Sequence, residues 1–370
     1  MTATIRQAAG SLLIVGLSGT ELTSLERACL KLIRPAGIIL FRRNIENASQ
    51  SRRLLDEATA FCSAHSFRCV DLEGGTVDRL RDALAPMPSA QAVMRAATKT
   101  KSLELIRRHG ELVAQAVKAF GFNTTLAPVL DLALPESAAV LGARVAAATP
   151  EGVVEYARGF LAGLSAHGVA GCGKHFPGLG GGTLDSHLET PAIRRSWRDL
   201  WHEDLLPYRT LSNALPMIMV SHAAYPNTPG KNRPASVSPY WIANVLRKRI
   251  GYRGIIFSDD LEMGGILKFI PIEEAAIASV RAGMDLLEIC HSPELIMRAF
   301  EALISEGERS TAFHNLLLER AKSTDRRRAR LVAETKSKAL TTKQFEALRG
   351  KILQFGEAIQ SAQHAEAKSA

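Results

Sequence analysis

Short, wholly apolar runs alternate along this chain with longer amphipathic segments, and the alternation is regular enough to define a fold class. Eight runs are apolar on both faces and end in Gly, Pro or polar residues: Leu12–Leu17, Gly37–Phe41, Arg68–Asp71, Asn123–Ala127, Val169–Gly173, Met217–Ser221, Ile255–Ser258 and Asp285–Cys290. Such runs suit strands of a parallel sheet covered on both sides. Between them, helical periodicity marks Leu22–Leu32, Ser49–His65, Ser102–Phe120, Pro150–Ala166, Ser236–Lys248 and Ile272–Ala282. Thr149-Pro150-Glu151 places proline at the first helical position, as does Ser238-Pro239, where its missing N–H leaves no bond unmade.

Eight β/α units within about 290 residues predict an α/β fold of the closed (β/α)₈ TIM-type barrel rather than an open doubly wound sheet. The open sheet would want a G-x-G-x-x-G turn, and Asp71-Leu72-Glu73-Gly74-Gly75 instead begins with an acid where a pyrophosphate would sit. The chain therefore reads as a catalytic barrel over residues 1–300 and a C-terminal helical extension over 301–370, polar and frayed at its end.

Composition narrows the class further. The 370 residues are 46% hydrophobic and 22% charged, which is ordinary globular composition. No apolar run approaches the roughly 20 residues of a membrane helix, and Ser11–Leu17 lacks a signal-peptide cleavage pattern. Five scattered cysteines form no C-x-x-C pair, so the expectation is a reduced, cytoplasmic protein without a disulfide framework. The net charge is +9, much of it in Arg320–Lys338, yet aromatic residues are only 6% and none interleave with that run. A solvated helix face suits it better than a nucleic-acid surface.

In a barrel the chemistry collects where strands end. The third run ends in Asp71 and is followed by Glu73 and Arg79; the fourth by Asp131 and Arg144; the fifth by Lys174-His175 and Asp185-Ser186-His187; the sixth ends in Ser221-His222; the seventh in Asp259-Asp260. Acids, imidazoles and cations thus converge on one rim. The histidines do not fall at H-E-x-x-H spacing, and the rim is rich in Lys and Arg, which argues against a catalytic metal. A Schiff-base lyase built on Lys174 stays open on these residues alone.

Specific strings carry a resemblance. Lys174-His175-Phe176-Pro177-Gly178-Leu179-Gly180-Gly181-Gly182-Thr183-Leu184-Asp185-Ser186-His187 and Gly254-Ile255-Ile256-Phe257-Ser258-Asp259-Asp260-Leu261 resemble family 3 glycoside hydrolases, in their bacterial β-N-acetylglucosaminidase branch. So do Gly37–Phe41 with Arg43-Asn44, Val70–Gly75 with Arg79, Leu126–Asp131, Met219–His222 and Ala282–Asp285, in order from about Ser11 to Cys290. The resemblance implies a retaining exo-β-N-acetylglucosaminidase acting through a glycosyl-aspartate. Asp259 corresponds to the nucleophile, His187 to the general acid/base and Asp185 to the residue that orients it, with Asp260 a structural neighbour. Asp71, Arg79, Arg144, Lys174, His175 and His222 correspond to substrate-binding positions. It further implies no metal or organic cofactor. The implied substrate is an N-acetylglucosamine-containing saccharide or muropeptide from cell-wall recycling, handled by a monomer without nucleic acid or membrane.

The sequence departs from that pattern at Leu179, where the family loop carries histidine, and at Gly181-Gly182, where it carries Asp-Thr. Gly142-Ala143-Arg144-Val145 keeps the Arg without the Asp, Ser and Phe normally around it. Three consecutive glycines predict an intrinsically loose loop. Two rivals follow: a glycosidase or phosphorylase of altered specificity, since a histidine acid/base tolerates an anionic acceptor, and a non-catalytic sugar-binding barrel.

Overall fold

The computed structural model describes residues 4–182, 190–231, 233–332 and 338–364. Among the described residues there are ten strands: β1 Leu13–Gly16, β2 Gly37–Leu40, β3 Phe67–Val70, β4 Leu72–Gly74, β5 Val77–Asp78, β6 Thr124–Thr125, β7 Ala170–Phe176, β8 Met217–Val220, β9 Ile255–Asp260 and β10 Leu286–Ile289. Eight form a closed parallel barrel in the cyclic order β1-β2-β3-β6-β7-β8-β9-β10, while β4 and β5 make a small antiparallel hairpin. Each expected run supplies one barrel strand, and the expected (β/α)₈ barrel is the observed fold.

The barrel interior is filled, not hollow. Ile14, Ile39, Phe67, Cys69, Leu126, Cys172, Met217, Met219, Ile255, Phe257 and Leu286 form one buried cluster inside the strands, the stacked side-chain layers that make such a barrel a core. A second and larger cluster fills the space between strands and helices. Close strand approach explains Gly37: a Cβ there would lie 2.4 Å from the Phe67 carbonyl oxygen.

Local signals set the helix boundaries. Pro150–Ala166 and Ile272–Ala282 begin and end where periodicity placed them. Helix Ser24–Ile33 starts at a capping box in which Thr23 and Glu26 satisfy each other's backbone N–H groups. Glu26 also accepts from the N–H of Ser18 at 2.8 Å, which ties the β1 loop to the helix. The expected helix Ser236–Lys248 divides into a short turn, Ala235–Val237, and a wider-wound helix, Tyr240–Arg249, with Ile250 N–H bonded five residues back to Val245.

Two strands outrun their apolar signatures, and both carry polar residues at their ends. β7 extends three residues past Gly173 and β9 two past Ser258. Lys174, His175, Asp259 and Asp260 are therefore strand residues rather than loop residues after the strands. Apolarity alone could not register this continuation, because the polar side chains find buried partners.

The C-terminal region is helical, as expected after Cys290. Helix Pro293–Arg309 runs through residue 300 and packs against Ile272–Ala282 and the N-terminal helix Ile5–Gly10. Residues 320–331 of the basic run lie in helix Thr311–Leu331, and part of this stretch faces inward: buried Asp285 receives Arg320 and Arg327 together with Arg247 from another helix. Arg328, almost wholly buried, donates to the Ala36 carbonyl and pairs with Asp325. These contacts correct the reading of the run as only a solvated face. The last helix, Thr342–His364, returns across Ala90–Thr100 and Glu104–Ala119, burying Leu348, Ile352, Phe355 and Ile359. No helix among the described residues is long and apolar enough to cross a membrane.

Candidate active site

A cavity of about 480 Å³ opens at the C-terminal ends of the strands, lined by Asp71, Arg79, Arg144, Lys174, His175, Leu179, Asp259 and Asp260 together with Phe41, Arg43, Glu288, Cys290 and His291. Its volume suits one small ligand. Asp259, Asp71, Arg79, Arg144, Lys174 and His175 are thus brought together from β9, the residue after β3, β7 and two loops. Asp185 and His187 lie outside the described residues.

The polar wall is an ordered charge network. Lys174 Nζ contacts Asp71 Oδ1 at 2.8 Å and Glu73 Oε1 at 2.7 Å. Arg144 grips Glu73 in bidentate fashion, Nε to Oε2 and Nη2 to Oε1, both at 2.8 Å. Burial alone would raise the Glu73 carboxyl, but the Arg144 guanidinium and Lys174 ammonium hold it well below the usual carboxylate range. The same pairing holds Lys174 and Arg144 in their charged forms, against the burial that opposes it. Glu73 sits behind this wall on β4. Its buried carboxylate is what keeps two cations aimed into the cavity.

His175 is fixed by Asp131. Its Nδ1 lies 2.7 Å from Asp131 Oδ2, a contact that requires Nδ1–H in any form facing a carboxylate. The other Asp131 oxygen accepts from the backbone N–H groups of His175 and Leu179 at 3.3 and 2.7 Å. One buried carboxylate thereby fixes both the ring and the start of the loop that follows. The Lys174–His175 and Phe176–Pro177 peptide bonds are cis.

Asp259 lies in the cavity wall with one oxygen accepting the Asp260 N–H at 3.0 Å. Burial works to raise its carboxyl; the His175 and His222 rings, the Asp260 N–H and the Lys174 ammonium outweigh that and lower it. It is held as an anion in a water-poor setting, facing cationic and imidazole neighbours.

His222 stands behind this wall rather than in it. Its Nε2 faces the Asp260 carbonyl at 2.9 Å and its Nδ1 the Ser236 hydroxyl at 2.8 Å. A carbonyl accepts only, so Nε2 donates; the neutral ring then accepts from Ser236 at Nδ1. With both nitrogens occupied, His222 braces the end of β9 and is not among the cavity-lining residues, in contrast to the expected sugar contact.

The loop that leads into the glycine run is hydrogen-bonded at both ends. Gly178 N–H donates to the His175 carbonyl, Gly182 N–H to the Leu179 carbonyl, and Tyr225 OH to the Gly178 carbonyl. Gly178 has φ +133°, and a Cβ there would meet Asp204 at 2.8 Å; a Cβ on Gly181 would meet Arg195 at the same distance. Glycine is used for close approach on both sides.

Sequence reasoning assigned no role to Glu73, Asp131, Glu288, Cys290 or His291. Glu288 had a signal, an acid interrupting the apolar run Leu286-Leu287-Glu288-Ile289.

A small cavity at the strand ends that gathers a buried aspartate with Lys, Arg and His side chains has the form of a barrel enzyme's active site. Comparison with known proteins gives the family. Residues 4–321 match the glycosyl hydrolase family 3 N-terminal domain, and the chain belongs to that family as a glycoside hydrolase. It is similar to a β-hexosaminidase of Thioalkalivibrio sulfidiphilus, 38% identical over 298 residues, covering 80% of this chain and 85% of the relative. Among solved structures it resembles a family 3 β-N-acetylglucosaminidase of Paenibacillus, with TM-score 0.83 and 28% identity over 95% of this chain and 69% of that one. It also resembles NagZ of Neisseria gonorrhoeae in complex with N-trifluoroacetyl-D-glucosamine, with TM-score 0.76 and 30% identity over 93% of this chain and 98% of that one.

Proposed function

We propose that the protein is a retaining exo-β-N-acetylglucosaminidase whose nucleophile is Asp259. The observation that carries this reading is the buried Asp259 carboxylate, lowered below the usual range and lining a cavity for one small ligand beside Lys174 and His175. The similarity to β-hexosaminidases and to a structure binding a glucosamine derivative supports the acetamido sugar as the unit recognised.

In this mechanism the terminal sugar sits in the cavity with its hydroxyls and acetamido group on Asp71, Arg79, Arg144, Lys174 and His175. Charge-assisted bonds from fixed donors are strong and directional, and so separate one epimer from another. Asp259 attacks the anomeric carbon as the glycosidic C–O bond breaks, and its charge stabilises the oxocarbenium-like transition state. His187, oriented by Asp185, gives its proton to the leaving oxygen. It then takes a proton from the water that hydrolyses the glycosyl-aspartate. The His175 and His222 rings, the Asp260 N–H and Lys174 together favour the Asp259 anion, and Asp71 and Glu73 hold Lys174 in place. The natural substrate is an N-acetylglucosaminyl muropeptide fragment, hydrolysed in the cytoplasm by the monomer.

The test is a 2-fluoro, 2-deoxy β-glycoside trap followed by peptide mass mapping. The reading expects one adduct, on the peptide containing Asp259, and no adduct in Asp259→Ala. Label on another residue, or turnover of an aryl β-N-acetylglucosaminide by Asp259→Ala at the wild-type rate, overturns it.

A further inference from the structure

Beside the sugar-binding wall, the ends of β9 and β10 bring together a thiol, an imidazole and a carboxylate for which the proposed hydrolysis has no use. Ligand atoms of Asp260, Cys290 and His291 all lie within 4.8 Å of one another, and all three residues line the cavity. Asp260 Oδ2 stands 3.4 Å from His291 Nδ1. Tetrahedral zinc with bonds of about 2.0–2.3 Å places neighbouring donors roughly 3.3–3.6 Å apart, so this edge already has the right length.

The donors are also held in place. The other Asp260 oxygen accepts the Glu262 N–H at 3.0 Å, which presents Oδ2 to the histidine. Glu262 is anchored in turn by the Ser292 N–H at 2.6 Å and sets its second oxygen 3.0 Å from His291 Nδ1. Cys290 is held by its carbonyl, which accepts from Arg43 Nη2 at 2.7 Å, and its thiol lies 3.1 Å from Glu288 Oε1. Independently of these three, Glu288 is 3% exposed, lines the same cavity and leaves its Oε2 without a hydrogen-bond partner. A buried polar atom left unpaired in a polar pocket points to a bound group that supplies the missing partner. Arg43 is the opposing cation nearby, and its guanidinium is already committed to the Leu17 and Cys290 carbonyls and the Phe41 ring.

We propose that Asp260, Cys290 and His291 form a binding site for Zn²⁺, with Glu262 or a water molecule as the fourth ligand. One sulfur, one nitrogen and one oxygen donor select a borderline-soft ion of tetrahedral preference over Mg²⁺ or Ca²⁺, which take oxygen shells. Binding forms the Zn–S bond as the Cys290 thiol gives its proton to solvent.

The experiment uses Co²⁺ as a spectroscopic substitute, added to the metal-free full chain. The site predicts, at one equivalent, an intense near-ultraviolet thiolate-to-cobalt band that Zn²⁺ abolishes. Cys290→Ser removes the band, and His291→Ala, at a half-exposed position that leaves folding intact, weakens Co²⁺ binding at least tenfold. Cobalt bound without a thiolate band, or a band that survives Cys290→Ser, overturns the proposal. So does binding to His291→Ala as tight as to the wild type.

Discussion

Replacing Glu73 by Gln removes one buried negative charge and almost no volume, so its effect isolates the electrostatics of the wall. Glu73 is 4% exposed and is the shared partner of Arg144, gripped twice at 2.8 Å, and Lys174 at 2.7 Å. In the variant, Lys174 keeps Asp71 at 2.8 Å, whereas Arg144 keeps only the His175 ring at 3.4 Å. Breaking a buried ion pair by removing one partner destabilises by about 3–5 kcal/mol. Because Lys174 retains a counter-charge, the lower end, about 3 kcal/mol at pH 7, is expected. The sign with pH follows from the lowered carboxyl. The folded value lies well below the ordinary 4.5, so the stabilisation is complete above about pH 4.5 and declines as pH falls toward the folded value. Each unit below 4.5 removes about 1.4 kcal/mol. Urea unfolding of both proteins at pH 7, 5, 4 and 3.5 measures the difference, with other titrating groups common to the two. A gap that stays constant between pH 5 and 3.5, or one under about 1 kcal/mol at pH 7, refutes the charge-network account.

Asp131→Asn leaves the His175 ring without its carboxylate and is expected to lower kcat/KM for an aryl β-N-acetylglucosaminide about 10- to 100-fold, as loss of a ligand-orienting partner does elsewhere; wild-type kinetics would show that packing alone orients the ring. Gly178→Ala forces a side chain onto φ +133° and against Asp204, so a stability loss of about 1–3 kcal/mol should appear in thermal melts. Asp285→Asn removes the common partner of Arg247, Arg320 and Arg327; a loss of about 3 kcal/mol is expected, and an unchanged melting curve would mean the arginines are satisfied elsewhere. Truncation after residue 332 bares the surface under Leu348, Ile352, Phe355 and Ile359, and a melting point lowered by several degrees is the expected reading.

The barrel was legible because its evidence is redundant. Eight apolar runs separated by helical segments leave few topologies, and a misjudged boundary does not alter the closure. The boundaries that went wrong share one cause. β7 and β9 continue into Lys174-His175 and Asp259-Asp260, where hydropathy says a strand has stopped, because Asp71, Glu73 and Asp131 meet the polarity of the first pair and His175, His222 and His291 that of the second. Compensation of this kind belongs to pairs of residues far apart in the chain, about 100 positions for Lys174 and Asp71, and no local window contains both.

The site shows the same division. Residues that face the cavity sit in contiguous strings, so Asp71, Lys174, His175 and Asp259 could be found by scanning strand ends. Residues that hold them in place were read as bystanders, because Glu73 looks like one more loop acid until Arg144, 71 positions on, closes on it. His222 errs in the opposite direction: it ends a strand like the others, yet Ser236 and the Asp260 carbonyl consume both its nitrogens. Strand ends supply Asp71, Lys174, His175 and Asp259 to the cavity, loops add Arg79 and Arg144, and the partner of each polar atom decides which side chains face it. Applied to β10, the same accounting singles out Glu288, Cys290 and His291. Their side chains meet one another, Asp260 and Glu262, and have no part in the proposed hydrolysis although they line the same cavity.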